Sequence, residues 1–154
     1  MKIGFLYNFT RFVEWPRDAF EHELSPLVIG IAGDQSMAAL FASVLANKPA
    51  GGRHVEVRHI PDSGKIPNCH VLFLRAASRR KAPEVANELA GRHVLLVGEE
   101  DRFLARGGMV NFLMSSDRVR FEINLAPVRK CGLVLDSKLV GVAERVLQRE
   151  GAGE

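Results

Sequence analysis

The sequence predicts an α/β fold: a single three-layer domain with a mixed, mostly parallel sheet flanked by helices, and a C-terminal antiparallel strand pair. Continuous apolar runs at 27–32, 71–74 and 94–97 have the signature of strands buried on both faces, as in parallel sheets. Stretches of helical spacing alternate with these runs. Two further strand candidates, 109–114 and 118–123, are separated by Ser115, Ser116 and Asp117, a polar link of hairpin length. Strands alternating with helices and followed by a hairpin assemble into layers around one sheet. With 154 residues, no internal repeat and no long linker, residues 1–154 read as one domain able to bury a sizeable core without staples, and the tail after about 149 is expected to fray.

The opening segment FLYNFTRFVEWP, 5–16, places Phe5, Leu6, Phe9, Phe12 and Val13 on one wide helical face with Asn8, Arg11 and Glu14 opposite. Pro16 is the expected stop, because the residue before a proline is pushed out of helical geometry. After the strand at 27–32 and the Gly33-Asp34 turn, a helix is expected over 36–46 with Met37, Leu40, Phe41, Val44 and Leu45 inward. Residues 48–52 read as a loop, and 54–60, where Val55 and Val57 alternate with Glu56 and Arg58, as an edge strand. Following the strand at 71–74, a helix over 79–89 would begin at Arg79, Arg80 and Lys81, read as a solvated turn at its entrance. Residues 99–104 suggest a short helix with acids in its first turn, closed by Gly107-Gly108. Residues 125–130 suggest another, and the last helix is expected over 137–148, capped by Asp136 or Ser137.

Composition narrows the chemistry. The net charge is +3 with basic residues mostly scattered, which argues against a nucleic-acid surface, and no apolar run approaches the roughly 20 residues of a membrane span. Cys69 and Cys131 have neither CxxC nor metal-ligand spacing, so no metal is expected, while one disulfide between them stays open. The chain enters its aromatic helix at once, without the charged region, apolar segment and cleavage site of a signal peptide. It is therefore either cytoplasmic or a mature form whose leader has been removed.

Catalytic signatures are weak. GIAGD, 30–34, follows a strand but has Ala32 and Gln35 where a dinucleotide fingerprint needs glycines, and no P-loop, GxSxG or HExxH segment occurs. Cys69 and His70 are adjacent on a strand and point to opposite faces, as do His54 and His59. No catalytic residue and no cofactor is expected. The C-terminal segments GGMVNF and RVRFEIN are more specific. Val119, Phe121 and Ile123 alternate with Arg118, Arg120 and Glu122, so a face presenting Arg120 and Glu122 in a row could serve as a protein-recognition surface. A small-ligand module is the alternative, with a site near Gly33, Asp34 and Gly98 at the carboxyl ends of the strands; a hydrolase would need an acid, base and nucleophile that do not converge.

FLYNFTRFVEWP, PLVIGIAGD (26–34), CHVLFL (69–74), GGMVNF (107–112) and FEINLAPVRKCGLVLDSKLV (121–140) occur here in the order found in the YfiR-like family. The resemblance runs from residue 2 to about 147. It implies a non-enzymatic periplasmic α/β repressor, a protein that binds the periplasmic sensory domain of a YfiN-type membrane diguanylate cyclase and holds it inactive, lowering cyclic di-GMP and opposing biofilm formation.

 The same resemblance implies an export signal outside this sequence, and the expected form is a homodimer without a cofactor and without insertion into the membrane. The partner surface is expected at Phe112, Arg120, Glu122 and Asn124, with Asn111 and Trp15 as further members. Some relatives carry more cysteines, paired as redox-sensitive staples. Here Ile29 and Ile31 offer Cys69 no neighbouring thiol, and a Cys69 to Cys131 bridge stays open.

Overall fold

The structure, a computed structural model, describes residues 2–115 and 117–148. Helix α1 (Lys2–Phe12) buries Leu6 and Phe9 completely and ends at Phe12, short of the expected stop at Pro16. Val13 and Glu14 leave it as strand β1 (Val13–Glu14), paired antiparallel with β9 (Val134–Leu135), and the Asp136 N–H donates to the Phe12 carbonyl at 2.8 Å. Backbone partners from the far end of the chain thus override a local helical pattern, as tertiary context does for so weak a preference. Pro16 instead precedes a 3-10 turn, Arg17–Ala19.

Strands β2 (Leu27–Ala32), β5 (Val71–Leu74) and β6 (Leu95–Gly98) are buried at every position, as their unbroken apolar runs predict, with β6 one residue later than its pattern. Strand β4 (Arg53–Ile60) lies beside β2, and the short β3 (Pro49–Ala50) covers its other side, so β4 stands one place in from the edge. The hairpin is β7 (Val110–Ser115) and β8 (Arg118–Asn124). Helix α4 (Leu125–Lys130) follows where expected, with the Asn124 side chain accepting from the Ala126 N–H at 3.3 Å.

The final helix is where expectation and structure part. Helix α5 (Ser137–Gly141) has the predicted Asp136 cap but stops after a single turn and a half, and the chain extends into β10 (Arg145–Leu147), parallel to β8. Gly141 is a poor helical residue, and pairing with β8 gives the extended segment a hydrogen-bonded home. Among the described residues the large sheet runs β10-β8-β7-β6-β5-β2-β4-β3, antiparallel only at β7/β8 and β3/β4.

Helices cover both faces. Side-chain alternation puts Phe73, Phe112 and Phe121 on one face, where Phe5 and Phe9 of α1 meet Phe112 and Phe121, and Phe73 meets Phe112, with ring centroids 5.5–6.0 Å apart. On the other, Leu96 and Met109 share a cleft with Ala86 and Leu89 of α3 (Ala82–Leu89). That helix starts later than 79 because Pro83, lacking an N–H, is tolerated only in a first turn. Helix α2 (Gln35–Leu45) is capped by Asp34 and buries Ala38, Phe41 and Leu45, whereas Leu40 and Val44, expected inward, are 59% and 46% exposed. Its burial seam follows the 38–41–45 spacing and leaves those two on the flank. The expected helix at 99–104 is a turn followed by a 3-10 segment, Leu104–Arg106, ended by Gly107 at φ +105°. Phe103 fills the space that Gly98 and Gly108 leave open, since a Cβ on either would strike its ring.

Candidate functional site

Strand register brings together residues far apart in the chain. Asn111 on β7 pairs with Glu122 on β8, and Glu122 pairs with Arg145 on β10. Cross-strand partners share a face, so the three side chains form one polar row. Asn111 Nδ2 donates to Glu122 Oε2 at 3.1 Å, and Arg145 Nη2 donates to Glu122 Oε1 at 2.7 Å. Asn111 also grips the loop after β6: its Oδ1 accepts from the Glu100 N–H at 3.1 Å and its Nδ2 donates to the Glu100 carbonyl at 3.0 Å. Asn111 is 1% and Glu122 6% exposed, a burial that these bonds make tolerable for an amide and a carboxylate.

The expectation of Arg120 and Glu122 side by side in solvent is therefore corrected. They share a face, but the face sinks into the protein along β8, so Arg120 remains half-exposed while Glu122 and Asn124 are buried. Arg120 Nη1 donates to Glu144 Oε1 at 2.8 Å. Glu144, Arg145, Asp101 and Arg102 line a cavity of about 450 Å³ whose inner wall is Asn111 and Glu122. Charges of both signs ring this opening, an arrangement suited to binding a partner with complementary charges. Phe112, also expected at the surface, is 3% exposed and belongs to the aromatic cluster under α1.

Trp15 lies in another corner. Its Nε1 donates to the His70 carbonyl at 3.1 Å, and its ring meets the imidazole edge-on at 6.1 Å. His70 Nδ1 accepts from the Val28 N–H at 3.0 Å, and Nε2 lies 2.9 Å from the Ala19 carbonyl, so the neutral imidazole with its proton on Nε2 satisfies both contacts. Burial pushes its pKa below the ordinary value. Phe20 stacks on His70 at 4.2 Å and Arg53 lies over Phe20 at 3.5 Å, clasping the 16–26 segment against the strand ends.

Cys69 and Cys131 are free and buried. Burial pushes the Cys69 thiol up to about 12 and raises Cys131 as well, so neither thiol is activated as a nucleophile. Immediately around Gly33, Asp34 and Gly98 the expected crevice is filled by protein, since Asp34 caps α2, Phe103 covers Gly98, and Arg75 bonds Glu99 at 2.6 Å while Lys2 bonds the same carboxylate at 2.8 Å; the opening at these strand ends lies to one side, between Arg75, Ser78 and Glu100. Among the described residues no group of His, Cys, Asp and Glu could hold a metal ion, and no helix is long and apolar enough to cross a membrane.

Sequence reasoning missed Glu144 and Arg145, which fall inside the segment read as helix, and Asp101 and Arg102, in a segment read as a short helix. No local signal marks them, because the β8–β10 pairing alone brings Arg145 to Glu122. A family description, YfiR/HmsC-like, matches residues 1–144, a span that includes every helix, every strand but β10, and Asn111 and Glu122 of the polar row. On the strength of that match, the chain belongs to the YfiR/HmsC-like family.

Proposed function

We propose that this protein is a periplasmic negative regulator that acts as a homodimer, binds the periplasmic sensory domain of a YfiN-type membrane diguanylate cyclase and represses cyclic di-GMP synthesis. Membership of the YfiR/HmsC-like family supports a periplasmic regulatory role in cyclic di-GMP signalling, and the match over residues 1–144 is the observation that carries the reading. The mechanism is population shift: a regulator that binds the inactive form of its partner better than the active form holds it there by that difference in affinity.

The mixed-charge opening beside β10 is the surface we assign to the partner. Arg120 adjoins it through its bond to Glu144 on the rim, and half-exposed Trp15, in another corner of the fold, is a secondary contact. Glu122, Asn111 and Asn124 support the surface from beneath, and Phe112 sets the position of β7 through the aromatic cluster. Such charges at a rim chiefly set specificity and the rate of encounter.

Calorimetric titration with the periplasmic domain of the cyclase is the test. The expected result is saturable binding at about micromolar affinity or tighter, weakened about tenfold in Arg120→Glu. Light scattering should give twice the 17.0 kDa chain mass. Unchanged affinity in a folded Arg120→Glu variant removes this surface; no binding by the folded protein removes the cyclase as partner.

A further inference from the structure

The β5–α3 connection and the loop after β6 enclose a second polar cavity, of about 420 Å³, at the C-terminal ends of the parallel strands. Its charged lining is Arg75, Arg79, Arg80, Lys81 and Arg106 against the carboxylate of Glu100. These cations differ in how their charge is met. Arg75 bonds Glu99 at 2.6 Å, and Arg106 lies 3.5 Å from Glu100. Arg80 meets neutral acceptors: Nε donates to the Pro61 carbonyl at 2.9 Å, and Nη2 to those of Ser63 and Gly64 at 3.1 and 3.0 Å. These bonds fix the guanidinium without neutralising it. The side chains of Arg79 and Lys81 make no hydrogen bond or ion pair among the described residues.

Three consecutive cations without a counter-charge raise the local positive potential, and one of them is already oriented by the backbone. A merely solvated turn would not hold the central arginine on three carbonyls. The Glu100 side of the cavity is also fixed, through the two bonds from Asn111 to the Glu100 backbone.

We propose that this cavity binds a dianionic phosphate group, with Arg80 as the preoriented donor and Arg79 and Lys81 closing on the remaining oxygens. Arg80 keeps the N–H groups of Nη1 for a phosphate oxygen, the guanidinium fork of Arg79 matches two more, and Lys81 adds a compact point charge. The volume suits a small ligand, in the range of about 300–1,000 Å³ usual for such sites. The phosphate can belong to a soluble monoester or to a phospholipid headgroup. The site shares no lining residue with the cavity beside β10 and stands independently of the cyclase reading.

The test is calorimetry on the full chain with inorganic phosphate, using chloride at matched ionic strength as the control. In parallel, sedimentation measures binding to phosphatidic acid vesicles against phosphatidylcholine vesicles. The expected result is saturable phosphate binding, weakened about tenfold or more in Arg79→Ala/Lys81→Ala, with the circular dichroism spectrum of the variant unchanged. Binding to phosphatidic acid alone, lost in the same variant, assigns the phosphate to a lipid. Absence of saturable binding to either probe, or equal binding by the double variant, overturns the proposal.

Discussion

His70 enters the fold as a neutral imidazole because both ring nitrogens are committed, one accepting from Val28 and the other donating to Ala19. Protonation would place a second donor opposite the Val28 N–H. With its folded pKa held below the ordinary 6.5 by burial, the folded state binds fewer protons than the unfolded chain. Its contribution is therefore complete above about pH 6.5 and is lost as pH falls below that value through the folded pKa. Glu99 adds a second loss at lower pH: burial opposes its ionisation, but bonds from Lys2, the Ala76 N–H and Arg75 pull its pKa below 4.5. Urea midpoints measured from about pH 7 to pH 5 should fall for the native chain and stay flat for His70→Gln, which starts lower. A native midpoint that does not move over this range would contradict the assignment.

At the scale of elements, Phe112 joins β7 to α1, and its ring contacts Phe5, Phe9 and Phe73. Truncating it to alanine should destabilise the fold by about 3–5 kcal/mol, measurable by denaturant unfolding, because a buried aromatic leaves a cavity that helix and sheet cannot both close. A loss below about 1 kcal/mol would mean that the cluster repacks freely. The central strands were legible because an unbroken apolar run between turn residues fits a strand buried on both faces. Helix α4 was legible for a related reason, since Asn124 is a capping residue at the end of an alternating strand. Strands β1 and β10 were not: their few residues fit a helical pattern locally, and only partners distant in sequence hold them extended. Glu122 was misread for the mirror-image reason. A carboxylate in an alternating strand signals solvent, and its burial depends on Asn111 and Arg145, which no local pattern identifies.

At the scale of the whole molecule, the order of the sheet sets the C-terminal strand beside the β7–β8 hairpin, and the N-terminal helix packs its rings on Phe121 of the same hairpin. The proposed partner surface and the proposed phosphate cavity are both bounded by the loop after β6, and Asn111 holds that loop at Glu100. A ligand and a partner protein would thus act on adjacent parts of one rigid connection, and any linkage between them must be reciprocal. Titrating the cyclase domain with and without saturating phosphate measures that coupling.

The chain contains a single tryptophan, and it is bonded to the backbone of His70 with its indole edge-on to the imidazole. Its ultraviolet emission therefore comes from one corner of the protein and needs no introduced dye. As the imidazole gains its proton, a nearby positive charge quenches that light, so an optical titration can follow His70 in the native state, before the chain unfolds.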